Sequence, residues 1–234
     1  MSNRIVFSYA HPDDESFLSA CLIRQLAESG DQPALLLATR GDAGGKNGAY
    51  AHLSKMDLGH LREKEMGRAA GVLKLDAVEF LGFPDGKLAE CDEQAFLQGV
   101  VAFLNRRRPS GVFTFPPDGG NFHPDHMAIS RITTKAVVGG QCPSVKQLYY
   151  TMSEPVMNAG HKPTFSVDTK PMWDVKAEAL RAHDSQIIGI ERYFGKLHDF
   201  PETKRYESFV IAWEQGVFWP EKSEDCAREE LGLR

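Results

Sequence analysis

Ser8-Tyr9-Ala10-His11-Pro12-Asp13-Asp14-Glu15 sets one imidazole beside two adjacent carboxylates, and Asn121-Phe122-His123-Pro124-Asp125-His126-Met127 adds two histidines three apart. His11, Asp14 and His126 on one ion would supply two imidazoles, one carboxylate and an open position. That is the ligand count of a catalytic zinc site rather than a closed structural one. Zinc lowers the pKa of bound water towards about 7, and Asp13, next to a ligand, is placed to take the water's proton during attack. His123 could hand a proton to a leaving amine or steady an oxyanion as an imidazolium. The chemistry these five side chains describe is metal-assisted hydrolysis of an amide. A plainer reading of the first cluster is helix capping, with Asp13 or Asp14 as N-cap and Glu15 in the first turn. Capping accounts for one carboxylate, but for neither the second nor the histidine. The two histidines of the second cluster, taken alone, also fit polar residues at a helix end.

Both clusters need a strand to deliver them and a helix to receive them. Arg4-Ile5-Val6-Phe7 is a short, mostly apolar run of the buried-strand type, and Pro12 cannot continue a ladder. From Asp14 onward, Phe17, Leu18, Cys21, Leu22 and Leu26 fall at helical spacing. A strand that runs straight into a helix puts the turn between them at the carboxyl edge of a sheet, where open α/β folds place ligands. Ala34 to Thr39 predicts a second strand. The glycine-rich stretch Arg40-Gly41-Asp42-Ala43-Gly44-Gly45-Lys46-Asn47-Gly48 lacks both phosphate-loop spacings. It opens an irregular segment reaching to about His60, a lid or substrate loop by its length, or else plain surface. His52 and His60 read as polar surface. Leu61 to Leu73 predicts a helix, Ala77 to Leu81 a third strand, and Gly82-Phe83-Pro84-Asp85-Gly86 a turn at its end. A helix over Glu93–Arg108 and a fourth strand over Val112–Phe115 follow. Pro124 suits the first position of the next helix, whose apolar positions include Met127, Ile129, Ile132, Ala136 and Val137. This alternation predicts a doubly wound, mostly parallel α/β sheet. Further on, Gln147 to Met152 and Tyr206 to Trp213 read as strands, Ser153 to Pro163 as a loop, and Met172 to Gln186 as a helix. A charged tail follows the last strand.

Composition narrows the classes. The chain has 234 residues, 42% of them hydrophobic, enough for a substantial core. Lys+Arg 27 against Asp+Glu 32 leaves a net charge of -5, which argues against a nucleic-acid surface. Arg106-Arg107-Arg108 closes a helix before Pro109, where cations suit the helix dipole. Cys21, Cys91, Cys142 and Cys226 form no C-x-x-C pair, so neither a disulfide framework nor a zinc ribbon is expected. No apolar run reaches membrane-spanning length and no signal-peptide layout leads the chain. The expectation is a cytoplasmic protein without a membrane anchor, built as one domain over residues 1–234, with homo-oligomerisation left open.

The two motifs together, Ala10-His11-Pro12-Asp13-Asp14-Glu15 and His123-Pro124-Asp125-His126, resemble the LmbE-like, PIG-L-type zinc-dependent N-acetylglucosaminyl deacetylases. The resemblance runs from about Arg4 to Gln186. It implies a Rossmann-like fold, with helices on both faces of the sheet, and removal of an N-acetyl group from an N-acetylated sugar conjugate. His11, Asp14 and His126 would be ligands to zinc or, in the cell, ferrous iron. Asp13 would be the general base and His123 the acid or oxyanion partner. Thr39-Arg40-Gly41-Asp42-Ala43-Gly44, Arg62-Glu63-Lys64-Glu65 and Leu81-Gly82-Phe83-Pro84-Asp85-Gly86 also match. By analogy Arg40, Arg62 and Asp85 would contact substrate, and His183 of Ala182-His183-Asp184-Ser185-Gln186 would lie near the site. Asp42 stands where the family usually carries glutamate, which leaves its role open. The chain looks like the bacterial members of thiol-cofactor (bacillithiol-type) or antibiotic pathways. Two rivals remain beside this reading: a deacylase of another N-acyl compound, and a metal- or nucleotide-binding module without catalysis. A pure binding module has no need of Asp13 and His123.

Overall fold

Phe7 stacks on Phe113 with ring centroids 5.1 Å apart, and Phe113 on Tyr149 at 4.8 Å, a line of aromatic rings through the middle of one sheet. The computed structural model describes residues 4–46 and 48–233; Asn47 of the glycine-rich segment lies outside them. The first half alternates as expected: β1 (Ile5–Tyr9), α1 (Asp14–Leu18), α2 (Ala20–Glu28), β2 (Ala34–Thr39), α3 (Lys55–Leu73), β3 (Ala77–Phe83), α4 (Glu93–Arg107), β4 (Gly111–Thr114) and α5 (Pro124–Val138). Then come β5 (Gln147–Thr151), α6 (Glu154–Asn158), β6 (Phe165–Asp168), α7 (Trp173–Ala182), α8 (Ile187–Phe194), β7 (Tyr206–Glu214), β8 (Val217–Phe218) and α9 (Glu224–Glu230).

The sheet order is β3-β2-β1-β4-β5-β7-β6, with β8 paired to β7. The five strands from β3 to β5 are parallel, while β7 runs antiparallel to β5 and to β6. The parallel part has the strand order of a Rossmann-like doubly wound sheet, so the expected fold class is what the chain adopts. The order reverses between β1 and β4, whose register pairs Phe7 with Phe113. That reversal opens a crevice beyond the carboxyl ends of the two strands, and each strand there runs into one of the two chemical motifs. No helix among the described residues is long and apolar enough to cross a membrane.

Several boundaries differ from the sequence expectation. The first helix is two pieces, broken at Ser19, whose hydroxyl meets the Tyr9 hydroxyl at 2.6 Å. The irregular segment ends earlier than about His60, because Ser54 caps α3 by accepting from the Asp57 amide at 3.1 Å. Ser153 likewise caps the short helix α6 inside what read as a loop. The expected helix over Met172–Gln186 ends at Ala182, and the following turn leads into α8, which with β6 had no counterpart in the sequence reading.

Candidate active site

Asp13 has φ 123° and ψ −28°, far from the usual backbone regions of an L residue. Its amide donates to Glu15 Oε2 at 3.0 Å, and Arg62 Nη2 donates to its Oδ2 at 3.0 Å. The strained peptide turns the two neighbouring aspartates apart. Neither the Asp13 nor the Asp14 side chain caps the helix amides in front of it; Asp14 Oδ2 instead accepts from the amides of Ala10 at 3.1 Å and His11 at 2.7 Å. Asp14 Oδ1 is left facing His126 Nε2 at 3.4 Å.

His11 comes from the end of β1, and His126 from the first turn of α5. Ser130 Oγ ties α5 to the Phe115 carbonyl beyond β4 at 2.7 Å, and Thr133 meets Ser8 at 2.8 Å. His126 Nδ1 lies 3.1 Å from the Gly119 carbonyl and donates to it, which leaves Nε2 unprotonated when the ring is neutral. His11 Nε2 lies 3.0 Å from Asp85 and 3.2 Å from Asp125, both carboxylates that call for a donor, so when the ring is neutral its Nδ1 is left with a lone pair. These two lone-pair nitrogens face each other at 3.3 Å. Two neutral imidazoles do not hold that contact without a proton or a cation between them.

The spacing decides what fits there. Metal–donor bonds of about 2.0–2.1 Å at tetrahedral angles set donors roughly 3.3 Å apart. The separations here are 3.3 Å for His11 Nδ1–His126 Nε2 and 3.4 Å for Asp14 Oδ1–His126 Nε2, while His11 Nδ1 lies 3.6 Å from the other Asp14 oxygen, Oδ2. All three residues are buried, and their donor atoms form one compact group. The donor set and its outer carboxylate and carbonyl partners fit a zinc-like divalent ion. A second close group, His11, His123 and Asp125, does not fit. Asp125 is saturated by the Gly86 and Leu88 amides at 2.7 and 3.0 Å and by His11. The sequence reading gave Asp125 no role; a carboxylate in a first turn reads there as a complement to the helix dipole.

Burial alone would lower the His11 imidazole, but Asp125, Asp14 and Asp85 outweigh it and hold the ring well above its ordinary value. Burial would raise Asp14; the His126 and His11 rings overcome it and hold the carboxyl well below its usual range. Asp13 is pushed up to about 6, by burial first, with Arg62 pulling the other way and Asp14 adding to the rise. His123 is held below its ordinary value by burial and by the His126 and His11 rings. As N-cap of α5, its Nδ1 accepts from the Asp125 amide at 3.2 Å, so the neutral ring carries its proton on Nε2.

These groups line one cavity of about 490 Å³, with Asp13, Asp14, His11, Asp85, Arg62, His123 and His126 all in its wall. Arg62 is no solvated helix residue: it is 2% exposed, and donates to the Gly41 carbonyl at 2.8 Å and to the Pro12 carbonyl as well as to Asp13. Gly41, at φ +67°, makes room for it, since a Cβ there would lie 2.2 Å from Nη1. Asp85 Oδ2 accepts from the Ala43 amide at 2.7 Å while Oδ1 faces His11. His183 is fully buried behind the wall, 2.8 Å from Glu15 Oε1. Arg40 is not brought to this cavity: it pairs with Glu63 at 2.5 Å and lines a separate hollow with Asp42 and His60.

Comparison with known proteins gives concordant results. A Bacillus cereus protein named probable N-acetyl-alpha-D-glucosaminyl L-malate deacetylase 2 is 26% identical, over 96% of this chain and 100% of its own length. A Mycolicibacterium vanbaalenii 1D-myo-inositol 2-acetamido-2-deoxy-alpha-D-glucopyranoside deacetylase is 32% identical, over 81% of this chain and 78% of its own. Among solved structures, the N,N'-diacetylchitobiose deacetylase of Pyrococcus horikoshii superposes with a TM-score of 0.73. It covers 94% of this chain and 87% of that one at 21% identity, a likeness of fold. The family model described as PIG-L, GlcNAc-PI de-N-acetylase, matches residues 6–137, the span that carries both motifs, and the chain belongs to that family.

Proposed function

We propose that this chain is a metal-dependent N-deacetylase acting on an N-acetylglucosamine-containing small-molecule conjugate. The observation that carries the reading is the pair of imidazole nitrogens facing each other at 3.3 Å beside Asp14, in the same cavity wall as Asp13 and His123. The two named relatives support the sugar half of it, because both names contain an N-acetylated glucosamine unit. His11, Asp14 and His126 would hold the ion, zinc or ferrous iron. Once bound, the ion would supply Lewis-acid polarisation of the acetyl carbonyl and a lowered pKa for water.

The chain's own residues do the rest. Asp13 takes the proton of the attacking water at Oδ1, while Arg62 holds Oδ2 and Glu15 holds the strained amide. A base whose proton affinity sits near the working pH is suited to accepting that proton and then handing it to the amide nitrogen as the C–N bond breaks, so that acetate and the free amine leave. His123 presents Nε2–H to the carbonyl oxygen as charge develops there; as a neutral donor it stabilises without having to lose a full charge afterwards. Asp125, Asp85 and the Gly119 carbonyl orient the two imidazoles. Arg62, which donates to Gly41, Pro12 and Asp13, positions Asp13.

Acetate release from a panel of N-acetylglucosaminides, with zinc and with ferrous iron, tests the proposal. Metal-dependent acetate with a matching free amine is expected. Stoichiometric metal binding without acetate from any member would leave a binding module instead.

A further inference from the structure

The wall of the cavity is chemically mixed. It carries the metal-site residues and three carboxylates, Asp13, Asp14 and Asp85. It also carries apolar and aromatic side chains: Phe17 and Leu18 from α1, Met152 just after β5, and Tyr193 from α8. Tyr193 is 51% exposed at the mouth, with its ring 5.5 Å from that of Phe17. Phe122, 66% exposed and held at φ +61°, lies between two wall residues in the chain, Asn121 and His123. A bulky side chain in the left-handed region is a costly conformation.

Cations are scarce there. Among the described residues of the wall, Arg62 is the one lysine or arginine. Its charge is already paired with Asp13, three of its five N–H groups go to Gly41, Pro12 and Asp13, and its Nε is buried from solvent. Lys204 lies over the Tyr193 ring, Nζ 3.9 Å from the centroid, and is not a wall residue. Arg62 is already paired with Asp13, and the two charges of a divalent ion would be met by Asp14 and Asp85. An anionic group brought in beyond the sugar would therefore lose water without gaining an ion pair, which is unfavourable. A neutral group with an apolar face would gain contact with Phe17 and Tyr193.

We infer that the part of the substrate beyond the N-acetylglucosamine ring is electrically neutral, packed against Phe17, Leu18, Met152 and Tyr193, and that carboxylate-bearing aglycones are selected against. This rests on the deacetylase reading for the position of the sugar, and it sets the chain apart from a relative named for a malate conjugate. The test is a matched pair, the N-acetylglucosaminide of malate and its dimethyl ester, with phenyl N-acetylglucosaminide as a third ligand. Calorimetry on the metal-free protein, where nothing turns over, should show the ester binding on the order of 10–100-fold more tightly than the diacid. In the metal-loaded enzyme, kcat/KM from acetate release should favour the ester by a similar factor. Tyr193→Ala should raise KM for the phenyl glycoside more than it lowers kcat, and Tyr193→Phe should restore it. Equal or tighter binding of the diacid, or no measurable binding of the ester, overturns the inference whatever the activity. Ester-selective binding without acetate release from any ligand supports it and counts against the deacetylase reading alone.

Discussion

Asp13 and Asp14 are neighbours in the chain with different partners, and the backbone at Asp13 is what separates them. At φ 123° the Asp13 carboxylate turns to Arg62 and the cavity, while Asp14 turns to His126 and the amides of its own turn. Asp13→Asn should therefore retain the ion by elemental analysis and lose on the order of 10²–10⁴ in kcat. Loss of the ion together with the rate would move Asp13 into the ligand set. His126→Ala removes one of the facing nitrogens and leaves Asp14 and His11 too few to hold the metal, so both metal content and activity should vanish. Full metal occupancy in His126→Ala would strike this residue from the site.

The connection from β4 to α5 has to place two imidazoles at once, His123 as N-cap and His126 one turn in. Gly119 makes that packing feasible. It sits at φ +70°, its carbonyl accepts from His126, and a Cβ on it would lie 2.8 Å from the Cβ of His126 and 3.0 Å from the Met127 amide. Gly119→Ala combines left-handed strain with an overlap against backbone. It should destabilise the protein by roughly 1–3 kcal/mol and weaken metal affinity by shifting the His126 ring. A thermal melt and a metal titration on the same variant check both halves. Weakened binding with an unchanged melt would place the effect on the ring alone, and an unchanged affinity would refute the argument.

Across the whole molecule, the last third of the chain buttresses Asp13. Glu15 holds the Asp13 amide, and His183, 168 positions away in sequence, pairs with Glu15 in a fully buried contact. The next turn is held to α3 by Glu65, which accepts from the Ser185 amide and hydroxyl at 2.8 and 2.7 Å. Burial alone would lower the His183 imidazole; Glu15, then Asp13, outweigh it and the ring is raised. A raised folded value contributes stability that is fully present below the unfolded histidine value of about 6.5 and is lost as pH rises through the folded value. Melts of metal-free protein should fall with pH above that point. They should do so less in Glu15→Gln/His183→Gln, which has no charge to titrate at this place. His183→Ala alone should cost about 3–5 kcal/mol, because Glu15 is left buried and unpaired. Parallel pH profiles for the native protein and the double variant would show that the pair does not carry the dependence.

What the sequence determined by itself was local in origin. Uninterrupted apolar runs read as buried strands, and Ala34–Thr39 is β2 to the residue because Pro33 before it and Arg40-Gly41 after it bound the run. Strand-to-helix switches put both motifs at carboxyl edges, and residue types alone narrowed the chemistry to metal-assisted hydrolysis. Tertiary structure decided the remainder. β6 is only Phe165–Asp168, with buried and half-buried positions alternating, too short for periodicity to distinguish from loop. The roles of Arg62, Asp85 and Asp125 depend on which groups meet them across the fold. Arg62 reaches Asp13 over 49 positions and Asp125 reaches His11 over 114. Residue type specifies what a guanidinium or a carboxylate is able to bind; the partner is set by packing, here by a glycine that leaves space and two strands that end side by side.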